Sequence, residues 1–171
     1  MESLTPILQT YSILAATLAA GANLSTTIIS LPAFLHADAN TLATQWQILY
    51  DSGIAPVVSM ALSSSVGFAT LAYRTGPGLT QTGLVSCAKR NLYIAAAVAA
   101  FGLAPYTQIL MLSTNKDIMR RARVVAKKEE SRAGDKEGTH AVVRRWGALN
   151  LGRGLLLLGA AGMGAWATVN Y

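Results

Sequence analysis

Long apolar runs separated by short polar stretches set the pattern of this chain. The first run covers about Leu4–Leu35 with no charge after Glu2, the second about Ile54–Tyr73, the third about Asn91–Leu112 and the fourth about Val142–Tyr171. At 1.5 Å of rise per residue, each is long enough to cross a hydrocarbon layer about 30 Å thick as a helix, with the second near the lower limit. The pattern predicts an all-α, integral membrane four-helix bundle forming a single domain over 1–171. Between spans one and two, Leu42, Trp46, Leu49 and Tyr50 sit at amphipathic spacing, which predicts a short interfacial helix. Trp46 and Tyr50 suit that depth as anchors or as the mouth of a pocket.

Breakers divide the runs. Pro32 sits at the end of span one, where it terminates or kinks the helix. Pro56 is read as a first-turn residue of span two, and Gly76-Pro77-Gly78 marks the 2–3 link. Pro105 interrupts span three and frees a carbonyl that hydroxyls or water must satisfy. Ser113-Thr114-Asn115 then reads as a break in the helix. Small residues supply packing faces: Gly21 with Ser25, then Ser59, Ser63 and Gly67, then Gly154, Gly159, Gly162 and Gly164. A cleaved leader ending near Ala20-Gly21-Ala22 is disfavoured, because no basic segment precedes the run and the run continues beyond that point.

Composition agrees with a membrane protein: 52% of residues are hydrophobic and 13% charged, about half the charged share of a soluble domain. The single cysteine, Cys87, excludes an internal disulfide framework and a cysteine-based zinc cluster. His36 and His140 are far apart, and no acidic residue lies inside an apolar run, so no resident metal is expected. The net charge of +6 is local, since ten of the fourteen Lys and Arg fall between Lys116 and Arg145. This basic link, 116–141, is expected on the cytosolic side by the positive-inside rule. It is a candidate for anionic lipid over 116–145, while nucleic acid is not expected because no aromatic interleaving accompanies the charge. Ser131–Thr139 is expected as a mobile loop.

Intramembrane polarity is concentrated near one end. Trp146, Asn150 and Arg153 share one helical face at i, i+4 and i+7. Asn23 is polar within span one, and Tyr106, Thr107 and Asn115 stand in and after span three. Four antiparallel spans bring Asn115 and the Trp146–Asn150–Arg153 face, with Pro32, Trp46 and Tyr50, toward one membrane face, with Thr107 and Gln108 at the depth of Arg153, while Asn23 stands at mid-span. A buried arginine is costly and marks a functional site by default. Two roles stay open for Arg153: donating to a ligand oxyanion, or bonding carbonyls freed near Pro105. Asn23 is similarly either an interhelical hydrogen bonder or a substrate contact.

Pro105-Tyr106-Thr107, Asn115, then Trp146-xxx-Asn150-xx-Arg153 after a charged link, together with Trp46 and the Gly21…Pro32 pattern, resemble the anthrone oxygenase-like family of small integral membrane proteins. The resemblance covers nearly the whole chain. It implies oxidation of an anthrone-type polyketide intermediate to an anthraquinone, with O2 as co-substrate and no metal or flavin. It also implies Arg153 and Asn150 as catalytic residues, and Trp46, Tyr106, Thr107, Asn115, Trp146 and Asn23 as binders of a lipophilic aromatic substrate. His36 and His140 flank the same face as possible bases, although solvated loop histidines are the expectation. A non-enzymatic scaffold or transporter-like protein, and an O2-independent isomerase or cyclase on lipophilic intermediates, are the competing readings.

Overall fold

A computed structural model describes residues 4–76, 83–126 and 136–171, with side chains described for 4–76, 87–126 and 138–171. All described secondary structure is helical. Helix α1 runs over Leu4–Phe34, α2 over Ala39–Arg74, α3 over 83–126 and α4 over Lys136–Asn170. Each of the four has a stretch long and apolar enough to cross a membrane, which makes this an integral, multi-pass protein.

The rods form a ring in which each packs on its two neighbours and α1 closes against α4; α2 and α4 touch across the diagonal. Alanine and glycine make that closeness possible, because small side chains let helix backbones approach. One core layer joins Ala16, Phe68, Tyr93, Ala96 and Ala167. The middle layer joins Ala19, Ala61, Ala100, Leu103 and Leu157. The third is aromatic and larger, with Leu31, Leu42, Trp46, Met111, Ile118, Val143 and Trp146. Gly67 faces Ser12 and Gly164 faces the Phe68 ring so tightly that neither position has room for a methyl group. Gly21, Gly159 and Gly162 have no atom near the position of a Cβ, so the packing faces expected around them are not interhelical contacts.

Several boundaries differ from expectation. No separate interfacial helix lies between spans one and two: residues 39–53 are the start of α2, which continues through Pro56 as one helix of 36 residues. Asp38 fixes that start. Its Oδ1 accepts from the backbone N–H of Asn40 (3.0 Å) and Thr41 (3.2 Å), and its Oδ2 from the Thr41 hydroxyl (2.6 Å). The hydroxyl bond from Thr41, and then the backbone bonds, hold the Asp38 carboxyl below the usual carboxylate range.

Ser113, Thr114 and Asn115 do not break α3, since Leu112–Ala126 is continuous helix. The basic link 116–141 is thus helical through Ala126 and again from Lys136, where Lys136–Thr139 belong to α4. Of the expected mobile loop, residues 131–135 lie outside the described residues, as do Pro77 and Gly78 of the 2–3 link. Asp117 bridges Arg120 at 2.6 Å and Arg121 at 3.4 Å, so part of the basic charge is balanced within α3.

The real irregularities are two π-helical stretches, Thr26–Ser30 in α1 and Thr107–Met111 in α3. Each lies within two residues of a proline, Pro32 or Pro105, whose missing N–H leaves a carbonyl without its usual donor. In each, a threonine donates to the carbonyl four residues back: Thr27 to Asn23 at 3.1 Å and Thr107 to Leu103 at 2.7 Å. Single π-helical turns of this kind are frequent at functional sites.

Candidate functional site

The polar end of the bundle is built from three rods around α4. Asn150 uses both amide hydrogens on α1, donating to the Asn23 carbonyl and to the Thr27 hydroxyl oxygen, each at 2.9 Å. The π-helical stretch displaces Thr27 from ordinary helical register, and the same hydroxyl reaches toward the Gly147 carbonyl at 3.5 Å. Asn23 turns its own amide back on Ala19 at 2.8 Å. Asn23 is therefore an interhelical residue through its backbone carbonyl, while its side chain borders the cavity described next. Asn150 retains only its carbonyl oxygen for a ligand.

Three residues further along, Arg153 stands at the middle of α4 and is 6% exposed. Its Nη1 donates to the Met111 sulfur at 3.9 Å, a weak acceptor. Its Nε is buried with no partner, and no ion pair to it exists among the described residues. The phenols of Tyr50 and Tyr106 are the ionisable groups that act on it. Tyr50 also lies against Asn115.

Arg153, Asn150, Trp146, Asn23 and Tyr50 line one cavity of about 80 Å³, completed by Ala22, Thr26, Leu49, Gly53, Ile54 and Val57. Trp46 stacks on Tyr50 (centroids 5.0 Å apart, 18° between planes) and meets Trp146 edge-on at 5.5 Å. The Oε1 of Gln45, the indole nitrogens of Trp46 and Trp146 and the Oδ1 of Asn115 join Arg153 Nε as buried polar atoms with no hydrogen-bond partner in the protein. Buried polar atoms nearly always pair with protein or ordered water, so five at one end of a bundle mark a place suited to water or a ligand. A larger hollow of about 570 Å³ lies between α2 and α3 at the other end. Alanines, Ile94 and Val98 dominate its walls, and it borders residues outside the description, so volume alone does not make it the site.

The sequence-predicted residues divide clearly. Asn23, Trp146, Asn150 and Arg153 line the cavity, and Trp46 backs it through Tyr50. Tyr106 is half-buried on α3, with its hydroxyl against Gly152 at a spot a methyl group would fill. Thr107 does not reach the cavity, because its hydroxyl is committed to Leu103. Neither histidine lines it: His36 is exposed in the α1–α2 turn, and His140 lies in α4 with Nε2 3.1 Å from the Ala37 carbonyl. His140 thus ties α4 to the α1–α2 turn and is not a solvated loop residue. Tyr50, read from sequence as an anchor or the mouth of a pocket, lines the cavity, and Thr27, not selected from sequence, completes the site. The available signal was their i+4 spacing from Trp46 and Asn23.

Fold and site together define a polytopic membrane protein with an unpaired buried arginine beside an aromatic pair. The family profile described as Anthrone oxygenase matches residues 46–163, which run from Trp46 through the whole Trp146–Asn150–Arg153 face. The chain belongs to the anthrone oxygenase family. A protein named Anthrone oxygenase from Claviceps purpurea (strain 20.1) is 29% identical over 148 residues, covering 84% of this chain and 78% of that protein. No solved structure matches.

Proposed function

We propose that this protein oxidises an anthrone-type polyketide intermediate to an anthraquinone with O2, without a metal or flavin. Family membership supplies the substrate class. The observation that carries the chemistry is Arg153, a buried cation facing the cavity with no acidic partner among the described residues. A cation left unpaired in a low-dielectric site is set to stabilise an anion that forms only during reaction.

The anthrone methylene loses a proton because the resulting negative charge delocalises onto the carbonyl oxygen. Arg153 stabilises that oxyanion with charge-assisted hydrogen bonds. Tyr50, beside Arg153 and Asn115, is placed to pass the proton toward the cavity mouth. The electron-rich anion reduces O2 and combines with it to give a hydroperoxide at the former methylene carbon. Loss of the remaining C–H proton and cleavage of the O–O bond release water and leave the second carbonyl. Anthrone plus O2 thus becomes anthraquinone plus water, with the substrate supplying all the electrons. Trp46 and Trp146 offer flat apolar surface for the fused rings, and Asn150 holds α1 and α4 in register.

The cavity of about 80 Å³ is well below the roughly 300 Å³ at which ligand pockets begin, so a tricyclic substrate must part its walls on entry. The test is the growth of anthraquinone absorbance when proteoliposomes receive an anthrone. The expected result is a rate well above that of protein-free vesicles. A rate equal to theirs across several anthrones overturns the reading and leaves a scaffold or an O2-independent enzyme in its place.

A further inference from the structure

The way into the site is legible from its walls. Ala22, Asn23 and Thr26 come from α1, Leu49 to Val57 from α2, and Trp146, Asn150 and Arg153 from α4, while α3 contributes nothing to the lining. Helices α1 and α2 are neighbours on the ring, and α4 lies across from α2. The α4 lining residues are buried while the exposed and partly exposed ones stand on α1 and α2, which points to an opening on the α1–α2 side. Thr26 and Gly53 are partly exposed there, Ile54 is 39% exposed, and Ile29 on the same stretch of α1 is 70% exposed. An outward-facing opening rimmed by isoleucine meets lipid. The exposed Asp51, just before Gly53, places it close to the polar boundary of the bilayer.

Gly53 stands at this opening. Gly67, Gly147, Gly152 and Gly154 are filled by Ser12, Leu31, Tyr106 and Leu24, and the open Gly21, Gly159 and Gly162 lie outside the cavity lining. A Cβ at Gly53 meets nothing within 4 Å. Glycine inside a helix is unfavourable relative to alanine, and here no close helix contact accounts for it. Behind the opening sits the unpartnered Nε of an arginine more than nine-tenths buried.

We propose that Gly53 keeps open a lateral entry between α1 and α2, through which a planar lipophilic aromatic molecule passes from the bilayer to Arg153. The proposal rests on the reading above for the nature of its ligand. A substrate already dissolved in lipid then reaches the site without crossing water. A larger residue at position 53 narrows the entry while strengthening the helix, which separates blocked access from misfolding.

The test uses the full chain in vesicles as wild type, Gly53→Ala, Gly53→Leu and Gly159→Leu. Gly159 is exposed, has open space at its Cβ and lies outside the cavity lining, so it controls for bulk added at the lipid face. One measurement is kcat/KM for an anthrone, and the other is the rate of anthraquinone association, read by stopped-flow quenching of tryptophan fluorescence. Gly53→Leu is expected to lower kcat/KM and slow anthraquinone association by about tenfold or more, the scale at which a few misplaced carbons discriminate in a tight passage. Gly53→Ala should fall between, and Gly159→Leu should match wild type. A wild-type association rate and wild-type turnover in Gly53→Leu would overturn the entry, as would an equal loss in Gly159→Leu or wild-type protein that does not bind anthraquinone. Binding that depends on position 53 without turnover would retain the entry and overturn the oxidation instead.

Discussion

Replacing Arg153 with methionine should make this protein more stable and leave it inactive. Arg153 lies midway along α4 and is 6% exposed. An arginine at the centre of a membrane helix costs about 2.5–3.5 kcal/mol on insertion scales, which is an upper bound for Arg153 at the polar end of the bundle. The neighbouring structure returns little of that, since the polar contact present is to the Met111 sulfur at 3.9 Å and Nε has no partner. Methionine keeps most of the apolar stem and fills irregular space well, so no large cavity replaces the guanidinium. The net expectation is a gain of about 1–3 kcal/mol, the trade between stability and activity common at working sites. For a chain of this size that is a rise of about 3–10 °C in melting temperature. The assay is thermal unfolding in one detergent, followed by tryptophan fluorescence, with anthrone turnover measured on the same samples. A loss of more than about 2 kcal/mol would refute the reasoning and show that Arg153 seals the bundle, as removal of a satisfied buried cation does.

Asn150→Leu removes two interhelical donors and leaves the Asn23 carbonyl with fewer partners, so a loss of about 1–2 kcal/mol is expected by chemical denaturation in micelles. Gly164→Ala places a methyl group against the buried Phe68 ring and should cost about 1–3 kcal/mol in the same measurement, whereas Gly162→Ala, with open space around it, should be neutral or stabilising. The Asp38 carboxyl titrates lower in the folded than in the unfolded chain, so its contribution is present above the unfolded value and lost as pH falls through the folded one. Asp38→Asn should flatten the acid limb of the stability profile below about pH 4, the ordinary aspartate range, while leaving neutral-pH turnover intact.

The four rods were legible in the sequence because apolar length alone decides what can cross a bilayer. The Trp146–Asn150–Arg153 face was legible because it obeys a simple helical period. What escaped depends on the solvent. Pro56 and Ser113–Asn115 are punctuation in water, but neighbouring helices supported α2 and α3 straight through them. Trp46 and Tyr50 already shared a helical face in the sequence, and of the two roles open to them, bilayer anchor or pocket mouth, Tyr50 takes the cavity wall with Trp46 stacked behind it. Thr107 has the right residue type and depth but spends its hydroxyl on its own helix, whereas Thr27, in the matching stretch of α1, accepts from Asn150. Period and composition do not distinguish those two threonines, because their difference lies in which rod stands opposite.

The most direct test of anthrone oxidation at Arg153 is an oxygen-electrode record of proteoliposomes supplied with an anthrone, comparing wild type, Arg153→Met and lipid alone. Wild type is expected to consume one O2 per anthraquinone formed, well above the lipid rate, and Arg153→Met to fall to that rate at equal protein abundance. Wild type at the lipid rate, or Arg153→Met at the wild-type rate, would contradict it.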